Sequence, residues 1–172
     1  MSKTKKNQQQ MEWTEEGYEQ FLESHPDYPI PEPIERLNLV MKRENALAII
    51  SGEKRVEFRT YTQHYVNRLY DKDTENFTER HKDEPEVVFW CDALRPVESI
   101  RFHDRNHTWA LDVECTYNDL VAPTDEGVAM LHDEYDCHEM DEMHRRLKRE
   151  GADRFPLYFY FELGEVQDRI GI

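Results

Sequence analysis

Lys54, Glu57 and Arg59 are the residues of this 172-residue chain whose types and spacing best fit chemistry. A lysine offers a compact cation, an arginine offers a planar fork of donors, and a carboxylate between them can orient both. Two interpretations follow. In the first, Lys54 and Arg59 bind a phosphate or another anion in a cleft while Glu57 orients them. In the second, Glu57 and Arg59 form an ion pair along one strand and serve the fold.

The flanking segments decide whether these three side chains meet. Residues 37–42 have the pattern of a strand and residues 43–51 that of a short helix. Gly52 then occupies a helix C-cap position, where glycine takes positive φ at little cost. A second strand follows, with Val56, Phe58 and Thr60 on one face and Arg55, Glu57, Arg59 and Tyr61 on the other. This order brings the lysine, the glutamate and the arginine close together.

The order of residues 49–59, Ile-Ile-Ser-Gly-Glu-Lys-Arg-Val-Glu-Phe-Arg, resembles the ASCH family. That family has a PUA-like β-barrel and a Gly-x-Lys-x-x-Glu-x-Arg signature, whose four positions are present here as Gly52, Lys54, Glu57 and Arg59. The resemblance clearly covers residues 37–70. It implies a protein that binds RNA, or a nucleotide or modified nucleoside, in a cleft lined by the signature.

The same resemblance implies a second class of function. Small stand-alone ASCH proteins include an amidohydrolase that removes the acyl group from acetylated cytidine, and ribonuclease activity is known for others. In the amidohydrolase type, a nucleophilic threonine lies three positions after the lysine, and an acid comes from a later helix. Here Glu57 occupies the threonine position, and Asp136 is the candidate for the later acid. The alternative function is a small hydrolase with Lys54 and Glu57 as an acid–base pair.

The net charge of −15 argues against general affinity for nucleic acid, because phosphate binding needs local positive charge. Residues 42–72, however, carry a net charge of +3, which leaves −18 on the remainder. This distribution fits either a polyanion held at one place or chance spacing on a solvated surface. Further binding residues are predicted to be Tyr61, by stacking on a base, Arg68, and Arg101 and His103 from a second small cationic cluster.

A third group of candidate residues lies in an acidic segment. Residues 125–142 contain eight acids and no lysine or arginine. His132, His138 and His144 are spaced by six residues, which scatters them around a single helix, and no Cys-x-x-Cys or His-Glu-x-x-His motif occurs. We therefore predict no metal site and no cofactor, and interpret the segment as a solvated acidic helix. A third hypothesis is that this surface binds a basic protein partner.

The organisation predicted from the sequence is a disordered tail at 1–12, a helix and proline-rich connector at 13–36, and an ASCH/PUA-like domain at 37–172. Thr14 is the expected N-cap of the first helix. No stretch has the roughly 18–20 apolar residues of a membrane span. The N-terminus lacks the apolar core of a secretory signal, and the three cysteines are far apart. We therefore expect a cytoplasmic protein with reduced thiols and no membrane partner.

The fold class that follows is α+β, a small mixed, mostly antiparallel PUA-like β-barrel with peripheral helices. Later strands are predicted at 87–91, 97–103, 109–116 and 157–164. Later helices are predicted at 62–71, 126–135 and 140–150, with a polar loop at 71–85.

Overall fold

The computed structural model of the chain describes residues 11–172, so the predicted tail at 1–12 falls almost entirely outside the described residues. The described chain mixes helices and strands. The helices are α1 (Glu15–Ser24), α2 (Arg43–Ser51), α3 (Gln63–Leu69), α4 (Lys72–Arg80), α5 (Pro85–Trp90), α6 (Asp125–Tyr135) and α7 (Asp141–Arg149). The strands are β1 (Leu37–Val40), β2 (Val56–Thr60), β3 (Ser99–His103), β4 (Ala110–Val121) and β5 (Tyr158–Ile170).

The strands form one sheet in the order β1-β3-β4-β5-β2. The β1–β3 pair is parallel, and the other three pairs are antiparallel. The pairing of β4 with β5 is the longest and contains register shifts between Asp112 and Tyr117. Such irregularities increase twist and bend a sheet. The result is a curled, mostly antiparallel half-barrel with peripheral helices, which confirms the predicted α+β class at this level.

The two faces of the sheet carry different cores, because side chains alternate along a strand. We call the larger one the inner core; α2 and α3 contribute Ile49 and Leu69 to it, and the sheet contributes side chains such as Phe102, Leu111 and Phe161. The second core lies between the other face and α6. Its buried members are Val56, Val121, Val128, Leu131, Tyr135, Met140 and Tyr160.

The chain divides into two compact units, one of residues 11–31 with 71–93 and one of 32–70 with 94–172. The smaller unit holds α1, α4 and α5 around its own buried core of Phe21, Tyr28, Phe77 and Val87. The sequence analysis assigned the segment 71–93 to the barrel domain, but this segment belongs to the same compact unit as helix α1. The sheet and the other helices belong to the larger unit.

Two predicted elements in the smaller unit are wrong. The predicted polar loop at 71–85 contains α4, which begins where the Asp71 carboxylate accepts a hydrogen bond from the Thr74 backbone N–H at 3.0 Å. The predicted strand at 87–91 is α5, which starts with Pro85 at a first-turn position. A short apolar run does not distinguish a buried strand from a buried helix. Pro85 was the local feature that indicated the start of a helix.

Other local predictions are confirmed. Thr14 caps α1 by accepting a hydrogen bond from the Gly17 N–H at 3.0 Å. Gly52 ends α2 with φ of 85°. The strands predicted at 97–103 and 109–116 are present as β3 and β4, and the helices predicted at 126–135 and 140–150 are present as α6 and α7. Over the residues described, no helix combines the length and apolar character needed to cross a bilayer.

Candidate functional site

Strand β2 points two of the signature residues, Glu57 and Arg59, to the inner face of the half-barrel. Glu57 pairs in register with Phe161, and Arg59 pairs with Phe159. Directly paired residues share a face, and both phenylalanines belong to the inner core. Val56, which precedes Glu57 and therefore points to the other face, is buried in the second core. The predicted division of β2 between two faces is therefore confirmed.

Glu57 and Arg59 belong to a connected chain of four charged side chains, which we call the Lys54 network. The Lys54 ammonium Nζ lies 2.9 Å from Glu139 Oε1 and 3.7 Å from Glu57 Oε1. Glu57 Oε2 lies 3.4 Å from Arg59 Nη2. The side chains of Lys54, Glu57 and Arg59 are only 9%, 11% and 18% exposed. Because burying a charge is costly, its partners matter more here than they would on a surface.

Arg59 also joins the two edges of the sheet. Its Nη2 donates to the backbone carbonyl of Val40 on β1 at 2.9 Å, and its Nη1 donates to the Tyr65 hydroxyl at 3.4 Å. Its Nε is buried and lacks a hydrogen-bond partner among residues 11–172. Nearby, Arg68 Nη2 donates to the carbonyl of Asn38 at 3.0 Å. Two arginines therefore satisfy carbonyls of the β1 edge, and Arg59 retains one donor for another acceptor.

Tyr61 follows β2 directly and provides an aromatic surface. Its ring is 42% exposed and stacks on Phe159, with centroids 5.2 Å apart and planes 21° from parallel. Phe159 is the residue that pairs with Arg59 across the two strands. One face of the Tyr61 ring is therefore held by the inner core, while part of the ring remains accessible, as stacking on a base requires.

Arg101 and His103 are not brought to the Lys54 network. They alternate along β3 with Ile100 and Phe102, which are buried in the inner core, so they point to the opposite face. Arg101 makes a bidentate pair with Asp112, at 2.7 Å for both hydrogen bonds. The His103 Nδ1 lies 2.7 Å from the carbonyl oxygen of Asp104. The predicted second cationic cluster is a separate feature of the outer face.

The acid that meets Lys54 is Glu139 and not Asp136. The Asp136 side chain is 91% exposed and lies 3.0 Å from His138 Nε2. Asp136 ends α6 with φ of 49°, and the chain then turns back so that Glu139 reaches Lys54. Glu139 was missed by the sequence argument because 85 residues separate it from its partner. The only available signal was its place in an acidic turn between two predicted helices.

That same turn holds a second polar cluster. His132 Nε2 lies 2.6 Å from Asp141 Oδ1, and His138 Nδ1 lies 3.1 Å from Asp141 Oδ2. Hydrogen bonds to Asp136 and Asp141 raise the pKa of His138. The hydrogen bond with His132 lowers the pKa of Asp141. The spacing argument against this cluster assumed one helix, but the turn after Asp136 brings His132 and His138 together, with ring centroids 4.3 Å apart.

The environments of the three cysteines do not favour a nucleophilic role. All three are free thiols. Burial raises the pKa of Cys115 to about 12 and that of Cys91 to about 11. Burial also raises the pKa of Cys137. Because the thiolate is the reactive form, this burial disfavours reaction at the three thiols.

Comparison of the chain with family models, with curated proteins and with solved structures gives no match.

Proposed function

We propose that this chain binds the base of a nucleoside or nucleotide, either free or in single-stranded RNA, at the Lys54 network of a PUA-like barrel. The observation that carries the proposal is a connected set of charged side chains, three of which are mostly buried, with Glu57 and Arg59 on the inner face of the half-barrel and Arg59 reaching from β2 to the other edge strand, β1. Strongly charged groups held inside a core are typical of functional sites. The signature's resemblance to the ASCH family supports the same class of ligand.

The charge balance of the network favours a base over a phosphate. Lys54 and Arg59 carry two positive charges, and Glu57 and Glu139 carry two negative charges. A net-neutral set of donors and acceptors attracts a polyanion weakly, whereas it matches the mixed donors and acceptors on the edge of a base. Tyr61 adds a ring for stacking, and the Arg59 Nε adds an unused donor within the described chain.

A hydrolase is the second candidate, and one observation favours it. Lys54 lies between two carboxylates, with Glu139 at 2.9 Å and Glu57 at 3.7 Å. A lysine ammonium can donate a proton to a bound substrate while a neighbouring carboxylate accepts one from it, as general acid–base catalysis needs. Glu139 takes the place that the resemblance gave to Asp136. The substrate class would be an acylated or otherwise modified nucleoside.

Binding is tested by titrating the four ribonucleosides, acetylated cytidine and a fluorescent single-stranded RNA into the full chain at two salt concentrations. We expect saturable binding with little salt dependence for the nucleosides. Lys54→Met should weaken it at least about tenfold, since a charged hydrogen bond contributes about 1.5–3 kcal/mol. Lys82→Met is the matched control, because Lys82 also lies 2.9 Å from a carboxylate but is 63% exposed.

The possible outcomes separate the candidates. Binding that depends on salt and is equally strong in Lys54→Met and Lys82→Met would reject recognition of a base at this network. Release of acetate from acetylated cytidine, abolished by Lys54→Met and by Glu139→Gln, would establish the hydrolase. Glu57→Gln preserves size at a buried position and provides a second variant if Lys54→Met does not fold. Circular dichroism of each variant checks folding.

A further inference from the structure

We propose that His132, His138 and Asp141 form a binding site for one divalent transition-metal ion, with Zn²⁺ preferred. Each of the three side chains offers one ligand atom, and these atoms all lie within 4.8 Å of one another. Two imidazole nitrogens and one carboxylate oxygen are ligands that zinc takes in proteins. The proposal is separate from the Lys54 network and does not require a nucleoside to bind there.

The distances fit a metal after small side-chain movements. Zinc lies about 2.0–2.2 Å from nitrogen and oxygen ligands, which puts tetrahedral ligand atoms about 3.4 Å apart. His132 Nε2 is 2.6 Å from Asp141 Oδ1, and His138 Nδ1 is 3.1 Å from Asp141 Oδ2. Both imidazole nitrogens therefore face the same carboxylate. All three ligand atoms lie within 4.8 Å of one another, so side-chain rotation is the movement needed to place a cation between them.

Asp136 contacts the His138 ring on the side opposite to Asp141. Its Oδ1 lies 3.0 Å from His138 Nε2, the ring nitrogen that faces away from Asp141. A carboxylate that accepts the N–H of one imidazole nitrogen leaves the other nitrogen with its lone pair free for a metal. This arrangement is common around protein-bound zinc, and it makes the ligand more basic. Asp136 thus has a role in this cluster that it lacks in the Lys54 network.

The site is open to solvent on one side. The side chains of His132, His138 and Asp141 are 36%, 57% and 23% exposed, so an ion can reach them without local unfolding. Three protein ligands leave a fourth coordination position for water, as in catalytic rather than structural zinc sites. The three ligands come from the end of α6, the turn and the start of α7. A bound ion would therefore fix the turn that carries Glu139.

The test is a titration of the chelator-treated full chain with Zn²⁺ by calorimetry and with Co²⁺ by visible absorption. We expect one equivalent of each ion and the intense d–d bands of four- or five-coordinate Co²⁺. His132→Ala and His138→Ala should abolish these bands. Asp136→Asn should weaken binding by about 10–100-fold, as loss of a supporting carboxylate does at other zinc sites. Zn²⁺ should raise the melting temperature of the unaltered chain and not that of His132→Ala.

His144→Ala is the matched control. His144 also pairs with a carboxylate, Asp125 at 2.7 Å, but it lies outside the three-ligand group. This variant should retain one equivalent of Zn²⁺ at unchanged affinity. The proposal is overturned if the folded chain binds no Zn²⁺, or if His132→Ala and His138→Ala bind it as the control does. His132→Gln keeps the polarity of the position if the alanine variant is unstable. These titrations contain no nucleoside, so a negative result would not bear on the proposed binding of a nucleoside base.

Discussion

At the scale of single residues, the alternation of a strand decides which cations can act together. Arg59 and Arg101 both lie on strands of one sheet, yet Arg59 points to the inner face and Arg101 to the outer. Arg59 shares the Glu57 carboxylate with Lys54. Arg101 uses both of its hydrogen bonds on Asp112, which is 5% exposed. The Arg59–Glu57 pair belongs to the candidate site, whereas the Arg101–Asp112 pair links the neighbouring strands β3 and β4.

The Arg101–Asp112 pair makes stability depend on pH. Hydrogen bonds from Arg101 lower the pKa of Asp112 in the folded chain. A carboxyl whose folded pKa is lowered stabilises the fold above its unfolded pKa of about 3.9, and this contribution disappears as the pH falls through the folded pKa. Arg101→Met should therefore reduce the free energy of unfolding strongly at pH 7 and by less at pH 3, where part of this contribution is lost. Urea unfolding midpoints at both pH values measure the difference.

Arg105→Met is the control for this prediction, because Arg105 is an exposed arginine in the turn after the same strand. It should change the midpoint little at either pH, as most exposed charges do. An equal loss of stability by Arg101→Met at pH 7 and pH 3 would mean that Arg101 contributes by packing alone. The side chain would then not hold the ionised form of Asp112.

The residues of the candidate site were predictable only where they share one segment. Lys54, Glu57 and Arg59 lie within six residues, and strand alternation places the last two on one face. Glu139 and Val40 complete the network from 85 and 19 residues away, and no local pattern specifies such contacts. The His132–His138 contact was missed for a related reason. Asp136 takes a positive φ and ends α6, so the chain turns back and brings His138 to His132, a contact that helical spacing alone does not predict.

At the scale of elements, two glycines show how differently a turn and a helix start constrain the chain. Gly52 ends α2 with φ of 85°, and a Cβ added there meets no atom within 4 Å. Gly127 lies in the first turn of α6, where an added Cβ would be 2.0 Å from the carbonyl oxygen of Ala122. The first glycine is required by backbone conformation alone. The second is required because another backbone segment passes too close.

Gly127→Ala should therefore destabilise the fold more than Gly52→Ala. Left-handed backbone costs a residue with a Cβ about 1–2 kcal/mol, which is the loss expected for Gly52→Ala. Forcing a methyl group against a fixed backbone adds about 1–3 kcal/mol of strain, and relief would require α6 to move. Chemical unfolding of the two variants gives the comparison. Equal losses would show that the start of α6 shifts freely to accommodate the methyl group.

The elements that were predicted correctly from the sequence have either a long alternating pattern of apolar and polar residues or a recognisable capping residue at one end. Strands β3 and β4 alternate apolar and polar residues over several positions, and α1 and α2 have an N-cap and a C-cap glycine. Helix α5 has only six residues, too few to show helical periodicity. Helix α4 buries just Thr74 and Phe77, so its polar sequence resembles a loop. Short elements stabilised by tertiary contacts give weak local signals.

At the scale of the whole molecule, the chain has separate cores in its two units. In the smaller unit Phe77 is 1% exposed, and its ring packs against Tyr28 with centroids 5.5 Å apart. Thr74 is fully buried and donates its hydroxyl to the backbone carbonyl of Pro29 at 2.5 Å. These contacts join residues 11–31 to residues 71–93 within the unit. The ladder of β4 and β5 belongs to the larger unit and shares none of them.

Phe77→Ala should therefore act on the smaller unit first. Removing a buried phenylalanine side chain costs about 3–5 kcal/mol, which is comparable to the whole stability of a small core. Amide hydrogen exchange should accelerate in α1, α4 and α5, while amides in the β4–β5 ladder keep their protection. Phe155→Ala, at a position 39% exposed, is the control and should change neither group. Uniform acceleration in Phe77→Ala would show instead that both units unfold as one cooperative structure, in which case the boundary at residues 71 and 93 would have no energetic meaning.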